Sequence, residues 1–66
     1  MIEKDKKVVL KNRGIREFGT VTKRWRRKEV WYHNVKTERG VELEAITVDP
    51  KMPCYIDYEL STKLGK

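Results

Sequence analysis

One cysteine, one histidine and one serine are all that the 66-residue chain offers as conventional nucleophiles and bases. Cys54 therefore has no intrachain disulfide partner, and no Cys/His set is present to hold a structural zinc. No two of Cys54, His33 and Ser61 stand in an arrangement that suggests a nucleophile with its base, so catalysis is not expected and no cofactor is implied. Glu42 and Glu44 alternate onto one strand face with Asp49 following, which reads as a solvated acidic face and not as a metal site. Long apolar runs are missing too. The longest, Val8-Val9-Leu10, is far too short to cross a bilayer, and the start Met-Ile-Glu-Lys-Asp-Lys-Lys lacks the apolar segment of a signal peptide. The expectation is a cytoplasmic protein with no membrane partner.

What is present is charge, together with β-branched and aromatic residues. Hydrophobic residues make up 38% of the chain and charged ones 39%, the balance of a small folded domain with a modest core and a heavily charged surface. Residues 1–66 leave room for a single domain. The formal net charge is +6, and its distribution is uneven. Residues 1–28 hold eleven Lys and Arg against three acids, a net of +8, whereas residues 29–66 hold five against seven, a net of −2. A half so basic favours polyanionic partners.

Short clusters rich in Val, Ile, Thr and aromatics, separated by glycine or charged breaks, predict strands at 6–11, 18–25, 29–37, 41–48 and 54–57. Asn12-Arg13-Gly14 supplies one turn, and Gly19 marks a place for a bulge or bend. Arg26-Arg27-Lys28 must turn the chain without glycine, which predicts a type I turn of several residues. Glu38-Arg39-Gly40 predicts a hairpin with Gly40 left-handed beside a bulge, and the two prolines of Asp49-Pro50-Lys51-Met52-Pro53 predict a loop. Strand four breaks its alternation at Ile46, as a strand does at a bulge. Asp57 is placed to cap one turn of 3₁₀ or α-helix that brings Leu60 and Leu64 back against the sheet. The predicted core is Val8, Leu10, Phe18, Val21, Val35, Leu43, Ala45, Ile56 and Leu60; for strand three the pattern leaves open whether Trp31, His33 and Val35 or Val30, Tyr32 and Asn34 face inward.

Three stretches carry a resemblance: Gly19-Thr20-Val21 opening a strand, the hairpin from Val35 to Gly40, and the closing element around Ile56 to Leu60. In these the chain resembles the SH3-like small barrels, particularly the KOW-type branch found in ribosomal and transcription-elongation proteins. The resemblance implies an all-β fold, a small five-stranded antiparallel barrel with a short C-terminal 3₁₀ or helical turn. Such barrels serve nucleic-acid and protein partners alike, so it speaks for architecture more than for function.

The strongest local signal is Lys23-Arg24-Trp25-Arg26-Arg27-Lys28, five cations around an indole, followed closely by Trp31 and Tyr32. Arg and Lys neutralise phosphates and release counterions, while an exposed ring stacks on a base or packs against a sugar. Against this stands the simpler reading of a solvated hairpin tip with Trp25 folded inward on the parity of Val21. No acid lies within the run, and Arg13 and Arg16 are expected to join it across the first connection. The candidate interface is therefore Arg13, Arg16, Lys23, Arg24, Trp25, Arg26, Arg27, Lys28, Trp31 and Tyr32, with only one aromatic expected to be exposed and Tyr55 and Tyr58 assigned to packing. DNA or RNA is the favoured partner of a monomer or weak dimer. The alternative is a small regulatory or phage-type module whose cationic loop docks on an acidic surface of a polymerase or ribosome.

Overall fold

The computed structural model describes residues 2–64. Five strands follow in order: β1 (Lys7–Asn12), β2 (Ile15–Arg27), β3 (Val30–Thr37), β4 (Glu42–Ile46) and β5 (Cys54–Asp57), with a short helix α1 (Tyr58–Lys63) behind them. They form one sheet in the order β4-β3-β2-β1-β5, antiparallel throughout. The sheet curls into a half-barrel whose edges approach at one corner, where the Ile56 N–H donates to the Thr47 carbonyl at 2.8 Å. The small all-β fold expected from the alternation is the fold observed.

Inside the curl lie Ile2, Val8, Leu10, Val21, Val35, Ile46 and Ile56, with Leu43 and Cys54 packed against them. β1 is buried on both faces, because its neighbour Val9 is 2% exposed while Val8 and Leu10 fill the core. α1 explains this. Asp57 caps it, accepting from the Leu60 N–H at 3.0 Å, and the Ser61 hydroxyl reaches the buried Val9 N–H at 2.9 Å. The helix residue turned into the fold is thus Ser61; Leu60 is half-buried and Leu64 exposed.

Two other members of the expected core lie elsewhere. Phe18 is 42% exposed, since the bulge of β2 falls between Val21 and Lys23 and not at Gly19. A bulge at Gly19 would put Phe18 and Val21 on one face; one at Thr22 leaves them on opposite faces. Gly19 is glycine for another reason: a Cβ there would lie 2.6 Å from Val35 Cγ1 and 2.9 Å from the Lys36 carbonyl oxygen. Ala45 is exposed because it is the extra residue of the β4 bulge, held at φ +56° with its N–H donating to Asn34 Oδ1 at 3.1 Å. The phase break foreseen at Ile46 is this bulge, one residue earlier.

The turns divide in the same way. Gly40 has φ +84° beside the Thr37/Val41 closure, as anticipated. Arg13 and Gly14, both at positive φ, connect β1 to β2. The connection of β2 to β3 is tighter than the expected type I turn: Arg27 pairs with Val30, and Lys28 and Glu29 alone make the turn at φ +51° and +66°. Positive φ at both central residues is the type I′ geometry whose twist matches the flanking strands.

Candidate functional site

The cationic run is strand and not loop. β2 continues to Arg27, so Lys23 to Arg27 lie in a ladder with β3, pairing Lys23 with Asn34, Arg24 with His33, Trp25 with Tyr32 and Arg26 with Trp31. β1 pairs with β2 only as far as Thr20, and β4 pairs with β3 only from His33 onward. Beyond those points the two strands project as a two-stranded ribbon with two usable faces.

The Thr22 bulge decides what each face carries. Residues paired across an antiparallel ladder share a face, so the inner face runs on from Val21/Val35 to Arg24/His33 and Arg26/Trp31, while the outer face carries Lys23/Asn34, Trp25/Tyr32 and Arg27/Val30. Trp25 therefore does not follow Val21 inward. On the outer face it stacks with Tyr32, ring centroids 5.9 Å apart and planes 18° from parallel, with Lys23 Nζ 5.6 Å from the indole centroid. Beside this pair is a shallow hollow of about 370 Å³ lined by Trp25, Arg27, Lys28, Tyr32 and Ala45. Both rings are half-buried, as is Trp31 on the other face, where a single exposed aromatic was expected.

The inner face is different. Arg24 lies with its guanidinium carbon 5.3 Å from the centroid of Trp31, and its Nη1 is buried without a hydrogen-bond partner among the described residues. His33 is 1% exposed and its Nδ1–H donates to the Ile46 carbonyl at 2.9 Å. Burial lowers the His33 pKa below its ordinary value, opposed by that backbone hydrogen bond. These residues thus give β3 its inward face as Trp31, His33 and Val35, the alternative that the alternation left open. Along the open edge of β3 runs a groove of about 700 Å³ lined in part by Val30, Trp31, Val48, Met52 and Tyr58. Tyr58, assigned from sequence to packing, is 47% exposed on its wall.

The predicted site residues divide into three groups. Lys23, Trp25, Arg27, Lys28 and Tyr32 come together on the outer face and tip; Arg24, Arg26 and Trp31 lie on the inner one. Arg26 approaches Glu29 at 3.9 Å, a weak surface pair. Arg13 and Arg16 do not join the run, because Arg13 lies in the β1–β2 turn and Arg16 just after it, at the end of β2 opposite the ribbon. Their surroundings hold a separate network in which Glu17 accepts from Asn12 Nδ2 at 3.1 Å and from Arg39 Nε at 2.8 Å. The Asn12 hydrogen bond first, and Arg39 with it, holds the Glu17 pKa below the usual value against a smaller opposing effect of burial. Cys54 is half-buried and burial raises its pKa, the behaviour of a small packing residue more than of a reactive thiol.

No protein family, curated protein or solved structure matches the chain. Among the described residues no cluster of His, Cys, Asp and Glu is suited to a metal ion, and no helix is long and apolar enough to cross a membrane.

Proposed function

We propose that this domain binds nucleic acid through the outer face and tip of the β2–β3 ribbon. The observation that carries the reading is the set Lys23, Arg27 and Lys28, none of which forms an ion pair among the described residues, gathered around the stacked Trp25–Tyr32 pair. Arginine and lysine left unneutralised in one place form a local positive field, and phosphates displace counterions to meet it. The half-buried aromatic pair leaves part of its ring surface within that field for a base or sugar to pack against. The SH3-like, KOW-type resemblance belongs to the same proposal.

Fluorescence anisotropy with a labelled 20-nucleotide single strand and a 20-bp duplex, across a salt series, tests it. With three phosphates contacted, the slope of log K on log salt is about −2 on a single strand and about −3 on a duplex, so raising salt from about 50 to 200 mM weakens binding roughly 20- to 40-fold. Replacing Lys23, Arg27 and Lys28 together by Glu abolishes binding while leaving the melting curve close to the parent's, since exposed charges contribute little to stability. Lys51→Glu with Lys63→Glu, on other surfaces, has a much smaller effect. Binding to neither probe at low salt, or equal binding by the triple variant, overturns the reading and turns attention to an acidic protein face as the ribbon's partner.

A further inference from the structure

The outer face of the ribbon says which kind of nucleic acid suits it. Resting on the reading above, we infer that the site takes single-stranded nucleic acid, with unpaired bases laid over Trp25 and Tyr32, and holds duplex more weakly. Three observations support this.

The first is the position of the cations. Lys23 and Arg27 share the outer face of β2 on either side of Trp25, about 13 Å apart at 3.3 Å per residue. A backbone that runs from one cation to the other passes the aromatic pair and carries its intervening bases across it. The second is the chemistry of the surface between them. The π-face of a base is available in a single strand, whereas in a duplex it is covered by the neighbouring pairs and only the edges are presented. Trp25 and Tyr32 stack on one another at 18° from parallel and are each half-buried, so part of their ring surface is left for a base to pack against, and their own side chains have no bidentate donor–acceptor pair suited to edges.

The third is what the ribbon lacks for reading a duplex groove. A two-stranded β-ribbon fits the major groove, where Arg and Lys recognise guanine and Asn and Gln recognise adenine; Lys23 and Arg27 can make the first kind of contact, so what the outer face lacks is a reader of adenine. The chain has no Gln, and the one Asn on the ribbon's outer face, Asn34, already uses its Oδ1 to accept from the Ala45 N–H of the bulge. Its other asparagine, Asn12, lies at the far hairpin and donates to Glu17. Stacking on Trp25 and Tyr32 is itself tolerant of base sequence.

The two kinds of nucleic acid separate cleanly in a binding assay, because charge alone favours the wrong one. Duplex DNA has the higher charge density, one phosphate per 1.7 Å of axis or so, and a purely electrostatic site binds it at least as well as a single strand. The test is anisotropy of labelled (dT)20 against a 20-bp duplex at equal salt, with parent and Tyr32→Leu, together with tryptophan emission in a Trp31→Phe background so that Trp25 alone reports. The expected result is binding of (dT)20 tighter by on the order of tenfold, quenching of Trp25 on saturation, and a comparable loss of (dT)20 affinity in Tyr32→Leu at an unchanged salt slope. Duplex bound as tightly as (dT)20, or Trp25 emission unmoved by saturating (dT)20, overturns the inference while leaving nucleic-acid binding in place. Binding of neither probe at low salt overturns nucleic-acid binding itself, and this inference with it. The emission measurement on Trp31→Phe decides the matter even where Tyr32→Leu fails to fold.

Discussion

Gly19→Ala adds one methyl group at the most crowded point of the sheet. The new carbon would lie 2.6 Å from Val35 Cγ1 and 2.9 Å from the Lys36 carbonyl oxygen, against an ordinary contact of 3.4–4 Å, so roughly 1 Å has to be found. Neither neighbour yields easily. Val35 is fully buried against the core with a stiff β-branched χ1, and the Lys36 oxygen belongs to the backbone of the β2–β3 ladder. Overpacking of this kind costs about 1–3 kcal/mol. A 66-residue domain has only about 3–10 kcal/mol in total. At about 4–8 °C of melting temperature per kcal/mol, the expected loss is on the order of 5–20 °C, read by far-UV circular dichroism and tryptophan fluorescence. Gly40 serves as the comparison, because a Cβ there meets nothing within 4 Å and the demand is only for φ +84°. Asparagine tolerates that backbone, so Gly40→Asn is mild while Gly19→Asn is worse than Gly19→Ala. Adding Val35→Ala to Gly19→Ala removes the clashing Cγ1, so the pair costs less than the sum of the singles. A Gly19→Ala melt within a degree or two of the parent, or simple additivity with Val35→Ala, refutes the steric account.

Two further outcomes follow from buried polar groups. Ser61→Ala strips the buried Val9 N–H of its 2.9 Å acceptor and costs about 1–3 kcal/mol, seen as a lower urea midpoint at unchanged m-value, with the nucleic-acid affinity of the folded protein unaltered. Burial depresses the His33 pKa below 6.5, so the unfolded chain binds the proton more readily. That part of the stability is present above the unfolded value and is lost as pH falls from about 6.5 toward the depressed folded value. Urea midpoints at pH 7.5, 6.5 and 5.5 show this slope in the parent and its absence in His33→Leu. A parent midpoint flat over that range would place the imidazole in contact with solvent.

The strands were legible because β-branched and aromatic residues cluster between breaks, and four of the five expected segments lie within a few residues of the observed strands. β2 is the exception: it begins three residues earlier, directly after the Arg13-Gly14 turn, and ends two later. The site was legible as a composition and not as a surface. Which cations face which way depends on the bulge, and Thr22 has no feature that marks it as the extra residue, whereas Gly19 does and is not. Its glycine answers to Val35 and Lys36, partners that no local pattern reveals. The tight Lys28–Glu29 turn was missed for a related reason: neither residue is Gly, Asn or Asp, so the usual signal for two left-handed residues is missing. Ile2, only 7% exposed, escaped because an isolated apolar residue in a charged stretch has no period to belong to.

The way β2 is shared between two neighbours gives the molecule two levels of stability. β1, hydrogen-bonded to β2 and β5 and covered by core and helix, can exchange its Val8 to Leu10 amides only when the whole fold opens. The ribbon from Arg24 to Tyr32 has a single ladder to break, and a two-stranded hairpin is marginal by itself. Its amides open locally, without disturbing Val21 or Val35, and exchange orders of magnitude faster. A ligand laid along the outer face adds its contacts to the least protected part of the chain, so binding raises the protection of the ribbon's amides most directly, alongside the gain in global stability that any ligand of the folded state brings. The element that carries the unneutralised charge is also the one whose order a partner can most readily alter.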